Sequence, residues 1–330
     1  MKSKKIAFFE LRKDEEEILK KLEKEYSVDV VKTEEILTQE TLLMAKGCEG
    51  ISILGHSKLE RDLLDSIKEA GIKYISTRII GYNHIDIEHA KKIGLKICNA
   101  DYAPNGVADF TIMLILLTIR NYKPAMWRQN VNDYSLSGLM GREIRNLTIG
   151  VIGTGKIGGT VIKSLAGFQC KILANSEYES DEIKKYAQYV SMETLYKESD
   201  VISLHVPLTD ESYHMINEET IDKMKDGVIL INAARGELMD IQALIKGIED
   251  QKIGALGLDV IENENGIYHM DRKSDIIQNR DMAYLRQFPN VVLTQHMAFY
   301  TDSATESMVR CGVEGLVEFK KKGTYRCEIA

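Results

Sequence analysis

The sequence predicts an α/β protein built from two units of alternating strand and helix. Three observations predict it. Short apolar runs recur along the chain, separated by stretches whose apolar residues fall at helical spacing. A glycine-rich turn, Gly153-Thr154-Gly155-Lys156-Ile157-Gly158, lies between one such run and a helical stretch. Polar residues gather where several of the runs end. Short strands alternating with amphipathic helices form a parallel sheet covered on both faces.

In the first unit, Lys5–Phe9, Val28–Val31, Gly50–Leu54 and Tyr74–Thr77 read as strands. Glu15–Tyr26 reads as a helix through Ile18, Leu19 and Leu22, and Leu59–Ala70 as a second helix closed by Gly71. Ala108–Arg120 is apolar on nearly every side, with Asp109 its one charge before Arg120. Such a helix is buried between layers or at an interface, and Ala103-Pro104-Asn105 suits its start. A polar loop containing Trp127 is expected next, up to about Asn146. Six further strands follow: Thr148–Ile152, Lys171–Ala174, Val201–Val206, Val228–Asn232, Ala255–Asp259 and Val291–Thr294. With their helices they make a complete dinucleotide-binding unit. Ser303–Lys320 reads as one last helix.

Length and composition agree. A chain of 330 residues fits roughly two domains. It is 44% hydrophobic and 28% charged, and 43 basic against 50 acidic residues leave a net charge of −7. That balance argues against nucleic acid and anionic membranes as main partners. A small anionic substrate then needs a locally positive pocket. The five cysteines, Cys48, Cys98, Cys170, Cys311 and Cys327, include no C-x-x-C pair, so neither a metal site nor a disulfide framework is expected. Reduced thiols point to the cytoplasm. The first apolar run stops at Glu10, too short for a signal peptide. The most apolar stretch, Ile112–Leu117, falls far short of the ~20 residues of a membrane span.

The glycine turn has a mechanism as a phosphate cradle. Glycines allow a tight turn and close backbone approach, and the following helix offers N–H donors and its positive dipole end. The bland alternative is a glycine turn without a ligand. An acidic ribose-binding residue is expected about 20 residues on. Ser176 holds that position, with Glu177, Glu179, Asp181 and Glu182 crowding behind it and no cation before Lys184. This favours NAD, with NADP the lesser alternative.

Ligands of open α/β sheets bind beyond the carboxyl ends of the strands. There the chain places His205-Val206-Pro207, Ala233-Ala234-Arg235-Gly236, Asp259 with Glu262 and Glu264, and Gln295-His296. An arginine, an acid and a histidine on one rim can handle an anionic, proton-exchanging substrate. Taken singly, Arg235 has the alternative of a surface ion-pair residue, though Gly236 beside it lets backbone and ligand approach closely and favours function, and His296 has the lesser alternative of a buried structural histidine. Glu264 alone is indistinguishable from a solvated Glu262.

Together these stretches resemble the D-2-hydroxyacid dehydrogenase family along essentially the whole chain. The carriers are 76–86 (Ser76 to Asp86), Tyr102-Ala103-Pro104-Asn105, the glycine turn, Leu204-His205-Val206-Pro207-Leu208, Asn232 to Gly236, Leu258 to Glu264, and His296 to Thr301. The segment after Glu264, with Asn265-Gly266, resembles the D-lactate, D-2-hydroxyisocaproate and vancomycin-resistance dehydrogenases. Ala233-Ala234, Gln295 and Ser176 depart from the common Thr-Gly, Pro and Asp. The resemblance implies a Rossmann dinucleotide-binding domain inserted into a smaller flavodoxin-like substrate domain. Residues 1–101 and 300–330 form the substrate domain, 102–299 the NAD-binding domain, and the assembly is a homodimer with the apolar helix beside hinge and interface.

The resemblance also implies a division of labour. Arg235, Glu264 and His296 are the catalytic set for reversible reduction of a small 2-keto acid to the D-2-hydroxy acid. Cofactor contacts are expected from Gly153, Thr154, Gly155, Lys156, Ile157, Gly158, Ser176, His205, Val206, Pro207, Ala233, Arg235 and Asp259. Substrate contacts are expected from Ile80, Gly81, Tyr102, Arg235 and Tyr300, with Leu54 and Phe299 also lining an apolar pocket. No metal is expected. Domain closure expels water before hydride transfer. Because some relatives of this fold are NAD(H)-sensing corepressors that keep the same three residues, a binding role stays open.

Overall fold

The structure, a computed structural model, describes residues 4–330. The first three residues of the N-terminal stretch lie outside it. The chain divides into two compact units: Met1–Ala103 with Tyr300–Ala330, and Pro104–Phe299.

In the first unit the elements run β1 (Lys4–Phe8), α1 (Glu16–Tyr26), β2 (Val28–Lys32), β3 (Gly50–Ile53), α2 (Arg61–Glu69), β4 (Tyr74–Thr77), α3 (Ile87–Ile93) and β5 (Lys96–Cys98). The five strands are all parallel, in the order β2-β1-β3-β4-β5, which is the flavodoxin-like order. β3 is buried along its whole length, as a sheet covered on both faces requires. Sequence reading missed α3 and β5, which are short and follow each other closely. It also began the first helix too early, because Lys13–Glu15 is a separate 3-10 turn. That turn aims Glu15 inward. Its carboxylate pairs with the fully buried Arg78, which also donates to Ser52 Oγ and the carbonyls of Phe9 and Glu10. Every charge buried here has its partners, the condition for tolerating it.

The second unit comprises α4 (Asn105–Ile119), α5 (Tyr122–Gln129), β6 (Thr148–Ile152), α6 (Lys156–Ala166), β7 (Lys171–Asn175), β8 (Gln188–Tyr189), α7 (Met192–Glu198), β9 (Val201–Leu204), α8 (Glu218–Asp222), β10 (Val228–Asn232), α9 (Ile241–Glu249), β11 (Ile253–Leu258), α10 (Arg280–Gln287) and β12 (Val291–Leu293). The strands are parallel in the order β12-β11-β10-β9-β6-β7-β8. Seven strands replace the expected six, the addition being two-residue β8. The expected loop around Trp127 is instead helix α5, with Pro124 in its first turn, where a missing N–H costs nothing. α4 starts at Asn105, three residues before its apolar stretch, and packs Leu114 and Thr118 against Gly257, where a Cβ would meet both at 3.3 Å.

The chain returns to the first unit as α11 (Asp302–Lys322). Val309, Val313, Leu316 and Val317 join Phe8, Leu19 and Leu22 in one core. Gly312 lets the helix approach, since a Cβ there would sit 2.9 Å from Ser52 Oγ. Among the described residues no helix is long and apolar enough to cross a membrane.

Candidate active site

The glycine turn lies between β6 and α6, and strand order reverses where β6 meets β9. This is the switch point at which doubly wound sheets bind ligands. Each glycine answers a separate demand. Gly153 has φ +90°, and a Cβ there would lie 2.4 Å from the His205 carbonyl oxygen. A Cβ on Gly158 would lie 2.0 Å from the Gly153 carbonyl oxygen. Gly155, at the N-cap of α6, has nothing within 4 Å of its Cβ direction. Space that a side chain would fill is therefore open beside the helix N-terminus, as a pyrophosphate requires. Lys156 and Ile157 form the helix's first turn. Thr154 bonds the Tyr189 hydroxyl at 2.8 Å, a partner supplied by β8.

Ser176 follows the last residue of β7 and is half-buried. The acids behind it are less unopposed than the sequence suggests. Lys184 pairs with Glu179 and Asp181, and Lys163 with Glu182. Glu177 is exposed.

His205, Val206 and Pro207 lie beyond β9, which ends at Leu204 rather than at Val206. His205 Nε2 meets Ser203 Oγ at 2.9 Å, and desolvation pushes the imidazole down to about 4. At neutral pH this ring is uncharged. Ala233 and Arg235 lie in a turn held by Asn232, whose side chain accepts from the Ala234 N–H and donates to the Arg235 carbonyl. Arg235 Nη1 bonds the Ala234 carbonyl at 2.6 Å. Among the described residues no carboxylate pairs with its guanidinium, which leaves the charge available to an anion.

Glu264 and His296 meet directly, with Oε1 2.5 Å from Nδ1. The other carboxylate oxygen accepts from the Ile261 N–H at 3.0 Å. Both partners retain some exposure. A carboxylate on Nδ1 fixes the ring's orientation, leaving Nε2 for a substrate. His296 has φ +51°, an uncommon backbone state outside glycine. Asp259 holds it there. Its carbonyl accepts from the His296 N–H, and its buried carboxylate takes the Met297 and Ala298 N–H groups and the Thr294 hydroxyl. Asp259 thus braces the histidine loop.

Two of the sequence readings are corrected here. Glu262 is not a solvated loop acid: it binds His214 Nε2 at 2.6 Å and the Ile241 N–H at 3.2 Å. Leu54 is buried and offers little surface to a ligand. Sequence reading also missed His269, whose ring lies 5.9 Å from His296 and 6.0 Å from Phe299. It sits in the long segment after Glu264, where no periodic pattern marks it out.

Ile80, Gly81, Tyr102 and Tyr300 belong to the first unit. The Ile80 carbonyl accepts from the Asn99 amide. Tyr300 is exposed, with the Arg12 guanidinium 5.4 Å from its ring centre.

Residues 112–298 match the family model of the D-isomer specific 2-hydroxyacid dehydrogenase NAD-binding domain. The chain belongs to the D-2-hydroxyacid dehydrogenases. An aromatic 2-oxoacid reductase of Clostridium sporogenes is 44% identical over 97% of both chains. D-lactate dehydrogenase of Escherichia coli is 36% identical, over 97% of this chain and 98% of that one. The solved structure of a D-2-hydroxyisocaproate dehydrogenase matches with a TM-score of 0.89 at 32% identity, covering 98% of this chain and 99% of that one. As a D-2-hydroxyacid dehydrogenase of the D-lactate/D-2-hydroxyisocaproate branch, the protein is an NAD-dependent oxidoreductase that reduces a small 2-keto acid to the D-2-hydroxy acid. The corepressor alternative falls away.

Proposed function

We propose that the preferred substrate is a 2-keto acid with an aromatic side chain, and that Arg235, Glu264 and His296 carry the reaction. The observation that carries the assignment is the Glu264–His296 contact of 2.5 Å, with the turn of the carboxylate-free Arg235 packed through Gly236 on Ile261 and Glu262 of the same segment. When bound, NADH supplies the hydride that reaches C2. Arg235 holds the substrate carboxylate and polarises the C2 carbonyl, which gains negative charge in the transition state. His296 gives its Nε2 proton to that oxygen and recovers a proton from the alcohol in the reverse direction. Glu264 keeps the imidazole oriented through Nδ1.

The aromatic class is supported by the name of the 44% identical relative and by the rings of His269 and Phe299 beside His296. The test is NADH oxidation with pyruvate, 4-methyl-2-oxopentanoate and phenylpyruvate. The expected result is the highest kcat/KM for phenylpyruvate. One hydrophobic group is worth roughly 10–200-fold in such a pocket, so pyruvate as the best substrate overturns the aromatic assignment.

We further propose a cytoplasmic homodimer. Its support is the odd number of cysteines without a C-x-x-C pair, which suits a reducing compartment, and the apolar side chains exposed on and after α5.

A further inference from the structure

We propose that His214 and Glu262 form a second carboxylate–imidazole pair, whose task is to position Glu264 and Arg235 for the reaction. The proposal rests on the reading of His296 as the acid–base group.

Three contacts carry it. Glu262 and Glu264 are two residues apart, and Asn263 between them has φ +59°, so the two carboxylates go to different histidines. Glu264 takes His296, and Glu262 takes His214 at 2.6 Å while its other oxygen takes the Ile241 N–H. Next, the Arg235 turn presses backbone against backbone on this same segment. A Cβ on Gly236 would lie 2.2 Å from the Ile261 carbonyl carbon and 2.5 Å from the Glu262 nitrogen. Finally, the His214 N–H donates to the Glu237 carbonyl at 2.9 Å, and Ile216 continues as an isolated parallel bridge to Met239. His214 therefore ties the segment after β9 to both the Arg235 turn and the Glu264 segment.

The consequence is mechanical. The Ile261 N–H that orients Glu264 and the Gly236 contact that sets the height of Arg235 belong to one short stretch of backbone. The His214–Glu262 pair anchors that stretch from the far side. It touches neither member of the Glu264–His296 contact, so it acts through position. The titratable and charged groups facing His296 are Glu264, His269 and, behind them, Asp259 and Tyr268. Those around His214 are Glu262, the Tyr213 ring stacked at 4.0 Å, and Asp240 next to Ile241.

The test compares His214→Leu, His214→Gln and His296→Gln in the full chain. Folding is followed by circular dichroism and NADH binding by fluorescence. His214→Leu is expected to lower kcat for keto-acid reduction about 10- to 100-fold, the range a small misplacement costs, with NADH affinity within twofold. KM for the keto acid is expected to rise at least threefold with it, because the Arg235 turn rests on the same stretch. His214→Gln, whose amide replaces the lost donor, is expected to recover most of both effects. If His214→Leu does not fold, Glu262→Gln is read instead, with the same changes in kcat and KM expected in smaller degree. An unmoved KM for the keto acid, or no recovery by glutamine, shows a merely structural pair and overturns the proposal. Normal turnover in His296→Gln with none in His214→Leu overturns it too, and moves the acid–base role to His214.

Discussion

Glu264 and Arg235 are where single atoms decide the outcome. Glu264 sets a carboxylate oxygen 2.5 Å from His296 Nδ1, which fixes the ring with Nε2 left for the substrate. Glu264→Gln keeps the shape but can turn either end of its amide to the ring. It is expected to lower kcat for keto-acid reduction by about 10- to 100-fold, with NADH affinity retained by fluorescence titration. An unchanged kcat refutes the orienting role. At Arg235, a planar guanidinium holds a carboxylate and a carbonyl oxygen together, while an ammonium is a point charge. Arg235→Lys is expected to raise KM for the keto acid and lower kcat, with NADH affinity nearly intact by fluorescence titration. Loss of NADH affinity instead makes Arg235 a cofactor residue. The sequence placed both residues on the rim, but the residues alone left Glu262 and Glu264 equivalent, and only the family resemblance chose Glu264. Nothing local separates two loop acids two positions apart. The φ of Asn263 and the location of two distant histidines do.

Strands and turns carry the next level, and here the ring at the end of β9 has a measurable consequence. His205 is pushed down to about 4 from an ordinary 6.5 by desolvation. Between those two values the unfolded chain binds more protons than the folded one. Stability contributed by the neutral ring is therefore complete above about pH 6.5 and is lost as pH falls toward 4, at up to roughly 1.4 kcal/mol per pH unit. Part of the residue's surface is exposed, so this slope is an upper bound. Urea midpoints between pH 7 and 4 are expected to fall less steeply in His205→Gln than in the parent, and identical slopes refute the assignment. The legibility of elements follows the same physics. Tyr74–Thr77, Thr148–Ile152 and Val228–Asn232 were readable to the residue, because each is a buried apolar run bounded by polar or turn residues. Strand ends at Val206, Asp259 and Thr294 were read too long, since those residues extend the run but bond to loops. α5 escaped because none of its residues is buried, so no apolar stripe marked it. β8 escaped because two residues carry no period.

At the scale of the molecule, the surface after α4 bears on assembly. Trp127, Val131, Leu136 and Met140 are exposed, Leu136 to 84% and Met140 to 92%. Large exposed apolar side chains gathered in one stretch of chain suit an interaction surface better than a solvent face. α5 itself is firmly fixed to the second unit: Lys123 Nζ donates to the carbonyls of Arg286, Phe288 and Val291 and lies 4.6 Å from the Trp127 ring centre. A rigid base under apolar side chains suits a pre-organised interface, which needs about 1,600 Å² in all to be stable. The proposed homodimer is placed on this surface. The double substitution Leu136→Glu with Met140→Glu puts like charges face to face across a two-fold axis, because a symmetric interface meets itself. Neither residue touches the glycine turn or the Arg235–Glu264–His296 set, so far-ultraviolet circular dichroism and NADH binding are expected to be retained. Sedimentation velocity is expected to show a dimer for the parent and a monomer for the variant at the same micromolar concentration. A parent that sediments as a monomer, or a variant that stays dimeric, rejects this surface as the contact between copies.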